Sequence, residues 1–548
     1  MQTPFKAASS SWRRRWGYLS YPILVLLGGG LLLLILSMQG GSTFQAWHLV
    51  MAKTCVVLLT LFFLFLWTLL GSGLKKSYVI IGTLSLILLM MGVFRTRFDA
   101  DMVPSLEPRQ WIARLLGISH DDKLNRERQN QPQVVSVGVD LTEQPGDWPE
   151  YRGKGRTGVV SGPALSLDWE NNPPKLLWKQ LVGNGYAGFC VVNGHLITIE
   201  QRVVDNKDVE AVVCYEAKTG HEIWKCSWSG KFDETAGGPG PRATPTVFDG
   251  DVYALGALGR LVCIEGKTGQ EKWAVETLQE NRNLQWAMAG SPLVVGNLVI
   301  VNPGTQTEAT LNRSVIAYDR KTGAEVWAAG RFPAGYSSPM LVTLKGKQQV
   351  LVFDGEGLGS YDPESGKELW RSSWPTQQGI NAAQPLVIGE DQVFIASGYQ
   401  MGGTLLKITE ESGKWKASQV WKTKIDTMRC KFASPVVHQG NIYGLNDGRM
   451  ECIDLAKGKR QWKDDDRSVR RGGAYGHGQI LLWGEQILAI TEYGEIVLLD
   501  ASPSEQQERG RIKGIEGTRT WNNPALVDGI LYLRNDHEMA AFDLKAER

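Results

Sequence analysis

The chain has 548 residues, with 59 Lys and Arg against 57 Asp and Glu and a formal net charge of +2. That near balance excludes a domain built on a basic nucleic-acid-binding face, and 43% hydrophobic residues exclude a chain that is disordered throughout. The charge is uneven: residues 1–146 carry 14 basic and 8 acidic side chains, whereas the remainder carries 45 and 49.

The N-terminal end is the most apolar part. Three runs, at about 19–38, 50–70 and 78–94, approach the ~20 residues a helix needs to cross a bilayer core. They predict a membrane anchor of three transmembrane helices over residues 1–98. A cleaved signal peptide is the alternative for the first run, but signal cores span only roughly 7–15 residues and two further runs follow. Lys6, Arg13, Arg14 and Arg15 precede the first run, and Lys75 and Lys76 follow the second. By the positive-inside rule the N-terminus is then cytoplasmic and the rest of the chain extracytoplasmic, which predicts a bacterial inner-membrane protein. Residues 99–146 read as a linker. Within it, Pro108–Ile118 has Trp111, Ile112, Leu115 and Leu116 on one helical face, and Asp121–Gln133 is polar enough for a flexible segment.

From residue 147 a phrase recurs. Cys214-Tyr215-Glu216-Ala217-Lys218-Thr219-Gly220 leads to Trp224, and Cys263-Ile264-Glu265-Gly266-Lys267-Thr268-Gly269 leads to Trp273. Further copies pair Gly323 with Trp327, Gly366 with Trp370 and Gly458 with Trp462, and a degenerate copy ends at Trp421. Each reads as a strand, a tight turn with Gly, and a strand ending in Trp. The strand centres at 215, 264, 318, 361, 408, 453, 499 and 542 lie 43 to 54 residues apart, a period typical of repeat architectures. A second phrase, a turn with Pro between two apolar strands, falls in the same phase at Pro245, Pro292, Pro339, Pro385, Pro435 and Pro524. Two phrases of two strands make a four-stranded blade. The eighth copy stops after its third strand at Phe542, and the missing strand ending in Trp stands at Lys175–Trp178. The expected fold is an all-β, eight-bladed β-propeller over residues 147–548, its last blade closed by the N-terminal strand. Of seven cysteines, Cys214, Cys263 and Cys452 share one repeat position and read as buried apolar residues; the repeat leaves the pairing of Cys190, Cys226 and Cys430 open.

The Glu/Asp-x-x-Thr-Gly-x-x-x-Trp phrase resembles the tryptophan-docking motif of pyrroloquinoline-quinone (PQQ) repeat propellers, a superfamily that includes quinoprotein alcohol dehydrogenases and BamB-type outer-membrane assembly lipoproteins. The resemblance covers roughly residues 147–545 and assigns Trp178, Trp224, Trp273, Trp327, Trp370, Trp421 and Trp462 to docking, with Gly220, Gly269, Gly323, Gly366 and Gly458 as their turns. One propeller fold serves both enzymes and scaffolds.

The innermost strand of a blade starts at the mouth of the central channel, and the Pro phrase marks that strand. The segments before it carry Arg242, Gln285, Trp286, Tyr336, Asn381, Gln384, Lys431, His477, Trp521 and Asn522, and Glu200 and Arg202 can reach the same face from the first blade. Polar groups mixed with aromatics around a concavity suit a ligand. His477, with Gly on both sides, is expected to be accessible and is the one weak catalytic candidate. The resemblance implies, for a dehydrogenase, a quinone on a Trp floor under two adjacent cysteines, with calcium held by Glu, Asn and Asp. Trp286 or Trp521 would give the floor and Asn302 or Asn381 an amide oxygen, but no two cysteines are adjacent. The leading expectation is a binding or scaffolding module of the cell envelope with a protein, peptide or glycan partner and no metal. The alternative is a PQQ-dependent membrane dehydrogenase of alcohols or sugars that passes electrons to the quinone pool.

Overall fold

A computed structural model of the chain describes residues 21–31, 56, 59–69, 75–98, 104–132, 138–278, 285–304, 312–464, 473–517 and 519–546. The chain divides into two compact units, Met1–Ile118 and Ser119–Arg548.

In the first unit, the helix Lys76–Val93 ends where Phe94-Arg95-Thr96-Arg97-Phe98 begins to alternate. Those five residues form an antiparallel hairpin with Pro104–Pro108. A short helix, Gln110–Leu115, follows and buries none of its residues. At about 1.5 Å per residue, an 18-residue helix reaches about 27 Å, short of the ~30 Å hydrocarbon core. Among the described residues no helix is long and apolar enough to cross a membrane. This overturns the expectation of an integral, three-span inner-membrane protein with a cytoplasmic N-terminus. The runs 19–38 and 50–70 lie partly outside the described residues.

The second unit holds eight propeller sheets. Blades one to six each take four consecutive strands, the first blade running from Cys190–Val192 through His195–Val204 and Lys207–Glu216 to Glu222–Ser229. Blade eight is Ala525–Val527, Ile530–Arg534 and Glu538–Asp543, closed by Lys175–Leu181. In that closing pair Trp178 lies opposite Ala541. Every blade has a register shift in its outer strand pair at the same point, just after Cys214, Cys263, Ala317, Ser360, Leu405, Cys452, Leu498 and Ala541. Such a bulge re-aims the side chain beside it, here the docking Trp opposite most of those residues.

The Trp side chains cross to the next blade. Trp178 Nε1 donates to Ala217 O (2.9 Å), Trp224 to Gly266 O (3.0 Å), Trp273 to Arg320 O (2.9 Å), Trp327 to Pro363 O (3.1 Å), Trp421 to Leu455 O (3.0 Å) and Trp462 to Ser502 O (2.9 Å). The indoles of Trp178, Trp224, Trp273, Trp327 and Trp421 lie on Gly220, Gly269, Gly323, Gly366 and Gly458. A Cβ on Gly366 would sit 2.5 Å from the Trp327 ring. Trp370 alone stays in its own blade and donates to Gln349 Oε1 (2.8 Å). Its neighbour, blade five, continues the third strand to Glu411 and has no Gly turn at that position.

The polar segment after Ser119 is a helix, His120–Asn130, docked on the propeller. The Ser119 hydroxyl accepts from Asp122 N, and Asp121 and Asp122 lie in the first turn, where the helix dipole favours acidic side chains. Leu124 is buried, His120 Nε2 lies 2.7 Å from Val182 O, and Asn125 donates to Val203 O (2.9 Å). The six described cysteines are unpaired.

Candidate functional site

A belt of hydroxyls joins the blades at the start of the innermost strands. Gly188 N donates to Thr244 Oγ1, Ser291 N to Ser338 Oγ and Gln384 N to Ser434 Oγ, all at 2.9 Å. Each accepting residue stands directly before a Pro. The Pro phrase therefore marks an inter-blade hydrogen bond as well as a strand start.

Inside that belt the channel holds the chain itself. Trp148 pairs with Val191 of blade one, and Pro149 O accepts from Val247 N of blade two (2.8 Å). The chain then turns back, and Val159–Val160 adds a parallel fifth strand to blade seven. The turn needs Arg152, Gly153, Gly155, Arg156 and Gly158 at φ between 60° and 78°, the left-handed region that glycine tolerates best. Arg156 is 1% exposed and donates to Ser291 O (3.0 Å), Pro292 O (2.6 Å) and Pro339 O (2.7 Å). Its charge is paired with Glu150 (2.7 Å). Arg152 donates to Ile480 O (3.2 Å), and burial pulls its guanidinium below its ordinary pKa. Two arginines thus fasten blades two, three, four and seven to a plug on the axis. The run Arg152-Gly153-Lys154-Gly155-Arg156-Thr157-Gly158 was the available signal, since alternating glycines ahead of the first blade mark an unusual turn.

Beyond the plug, aromatic side chains gather at the mouth. Tyr186 and Trp521 rings lie 5.0 Å apart, Trp521 and Phe432 5.3 Å, and Phe432 and His477 5.5 Å. Trp286 and Tyr336 form a second pair at 5.8 Å, and burial pushes the Tyr336 hydroxyl up to about 12. Arg242 sits over Tyr186 (5.2 Å) and Phe232 (4.9 Å) and donates to Gly240 O (2.7 Å). Lys431 Nζ lies 3.3 Å from His477 Nε2 and 4.0 Å from Asp447. The Glu492 carboxylate accepts from Trp521 Nε1 (2.8 Å) and from the His477 backbone N (2.9 Å), which holds the indole and the His477 backbone in place. Trp286, Tyr336, Lys431, Phe432 and Trp521 are half-buried, and Gln285 is exposed.

Several expected mouth residues serve the framework instead. His477 is 3% exposed; its flanking glycines make room for neighbours rather than for solvent, since a Cβ on Gly476 would strike the Glu492 side chain. Asn381 donates to Asp354 O (2.7 Å) and accepts from Ser397 Oγ (2.6 Å). Gln384 donates to Ser338 O (2.9 Å), Asn522 to Ala187 O (2.8 Å) and Asn302 to Ser314 O (2.6 Å). Glu200 and Arg202 are buried between blades eight and one and ion-paired to each other. There Tyr215 Oη lies 2.8 Å from Arg202 Nη2, Gly183 N donates to Glu200 (3.0 Å), and Arg534 lies 4.0 Å from Glu200. Burial opposes the Arg202 charge, but Glu200, Tyr215 and Glu222 outweigh it and raise its pKa well above the ordinary value.

The residues at the mouth do not fit a calcium-held quinone. Among the described residues no three His, Cys, Asp or Glu converge on one point. The Asn381 amide oxygen already accepts from Ser397 Oγ, and the Asn302 and Asn381 NH2 groups donate to backbone carbonyls. Trp521 offers a face, but the one carboxylate beside it, Glu492, is spent on its indole N–H and on His477 N.

Residues 208–464 match the PQQ_2 family model, described as outer membrane protein assembly factor BamB. The chain is 23% identical to the outer membrane protein assembly factor BamB of Burkholderia pseudomallei over 323 residues, covering 56% of this chain and 74% of that protein. It is 26% identical to the quinoprotein alcohol dehydrogenase PedH of Pseudomonas putida over 213 residues, 37% of this chain and only 31% of the dehydrogenase. Among solved structures, the quinohemoprotein alcohol dehydrogenase of Comamonas testosteroni superposes with a TM-score of 0.50 at 12% identity, covering 78% of this chain and 85% of that one; at that identity the likeness concerns the fold. With the repeats, the split blade and the Trp docking in place, the second unit is an eight-bladed propeller, and residues 208–464 of it are similar to the family whose model they match.

Proposed function

We infer that this propeller is a binding or scaffolding module whose mouth takes a protein, peptide or glycan segment. One observation carries the reading: half-buried Trp286, Tyr336, Phe432 and Trp521 form aromatic pairs in the segments that lead into the innermost strands, where Arg156 fastens residues 148–160 to blades three and four. Large, stiff aromatic rings give contact area at little entropic cost, and Lys431 and Arg242 add positive charge beside them. The name of the Burkholderia relative, an assembly factor, supports a protein partner and work in the bacterial cell envelope.

The test is calorimetric titration of the purified chain with PQQ plus calcium, beside screening on peptide and glycan arrays. The binding reading expects no saturable uptake of the quinone, and array ligands that are lost in Trp521→Ala and Phe432→Ala. Micromolar, calcium-dependent binding of PQQ would overturn it in favour of a dehydrogenase.

A further inference from the structure

A crevice of about 510 Å³ lies off the axis, between the docked helix His120–Asn130 with its exit at Gln131 and the edge of blade one. Its size falls within the ~300–1,000 Å³ of small-molecule sites. Its walls combine three kinds of group. Asn125, Gln129 and Gln131 bring amides; Arg128, Arg202 and Lys225 bring cations against the carboxylates of Asp205 and Glu222; and Val204, Ile223 and Pro132 are apolar.

Most of that charge is already matched. Glu222 lies 2.7 Å from Arg202 Nη1, 3.5 Å from Arg128 Nε and 3.4 Å from Lys225 Nζ. Its carboxyl is held below the ordinary carboxylate range, because burial, which would raise it, is outweighed by Arg202. A polyanion therefore finds no concentrated positive charge here. What the crevice does hold is a donor without an acceptor. Gln131 uses its Oε1 to accept from Glu222 N (3.1 Å), while its Nε2 is buried with no partner. Arg128 Nε faces the Glu222 carboxylate at 3.5 Å, too far for a good hydrogen bond. Buried donors are normally satisfied, so the Gln131 amide in this crevice points to an acceptor supplied from outside.

We propose that this crevice is a saccharide-binding site, taking a sugar unit that is neutral or singly negative. Sugar hydroxyls both donate and accept, so they can satisfy the orphaned Gln131 N–H group while donating to Asp205 and to the Gln129 carbonyl. Val204 and Ile223 meet the C–H face of the ring, and Lys225, 42% exposed at the rim, favours a carboxylate on the sugar. The site is independent of the mouth and of what the mouth binds.

The test titrates the full chain with glucose and with glucuronate, followed by calorimetry and saturation-transfer NMR. The expected result is saturable binding of both sugars, glucuronate the tighter. Gln131→Ala weakens both by roughly tenfold, a loss of ~1.4 kcal/mol. Lys225→Ala removes the preference for glucuronate. Gln129→Ala, on the exposed surface of the helix, weakens both without the risk to folding that Gln131→Ala carries. The proposal is overturned if neither sugar binds at millimolar concentration, if binding survives all three substitutions, or if inorganic phosphate binds in preference to both sugars.

Discussion

At the scale of single residues, the repeated Trp does its work across a boundary. Trp327 is buried and donates to Pro363 O of the next blade while its ring covers Gly366. Trp327→Ala should cost ~3–5 kcal/mol, the range for deleting a buried aromatic, measured as a shift in the urea midpoint. Gly366→Ala should destabilise as well, since φ is +69° and the new Cβ would meet that ring; Trp327→Ala in the same chain should relieve part of that loss, which a double-mutant cycle reads directly. The Gly-to-Trp spacing was legible because both residues flank one turn. Their contact was not, because the Trp lies on the Gly of the following repeat, 39 to 50 residues further on for the pairs from blades eight, one, two and three. His477 shows the limit at this scale: glycine neighbours are equally compatible with exposure and with close packing, and only the position of Glu492 decides between them.

At the scale of elements, two segments outside the repeats take part in the fold. The plug fastens the ring through Arg156. Removing that side chain leaves Glu150 without its cation and takes a donor from each of the carbonyls of Ser291, Pro292 and Pro339. Arg156→Ala should cost ~3–5 kcal/mol, as for breaking a buried ion pair, and Arg156→Lys should recover little because an ammonium cannot match the guanidinium fork. The docked helix is a second case. The His120 ring lies 4.8 Å from His537, and burial, followed by the His537 charge, lowers its pKa below the ordinary value for histidine, while Asp121 and Asp536 oppose that shift. A histidine that is harder to protonate in the folded state stabilises docking above its unfolded pKa and loses that contribution as the pH falls below about 6.5. Hydrogen exchange of residues 120–130 should therefore quicken between pH 7 and pH 5, and His120→Gln should flatten the change. Neither element has the repeat's period. Polar composition alone read one as a flexible linker, although its Ser119 cap and acidic first turn were visible.

At the scale of the whole molecule, closure is the controlling event. The strand Lys175–Leu181 covers the edge of Glu538–Asp543. A chain starting at residue 182 would expose that edge, and unpaired strand edges template association. Such a truncation should elute as aggregate in size exclusion, whereas a chain starting at Ser119, where the second compact unit begins, should remain monodisperse with unchanged circular dichroism in the β region. The eight blades, four strands per blade and the split eighth blade were all readable, because a propeller repeats one local pattern and a period survives in one dimension. The N-terminal anchor was misread from the same kind of signal. Apolar runs report hydrophobicity, whereas crossing a bilayer also needs uninterrupted helix, and the helix in the third run gives way to a strand at Phe94.

By itself, then, the sequence determined the architecture, since strand alternation, turn glycines and a recurring Trp are local properties that each repeat states again. Tertiary structure alone decided which face of each residue is spent. It placed Arg156 on the axis, turned Asn381 and Gln384 inward to backbone carbonyls, and left Gln131 with an unmatched donor beside blade one. Those outcomes depend on groups that meet across as many as 183 residues of chain, and hydrogen-bond satisfaction at that separation leaves no local mark.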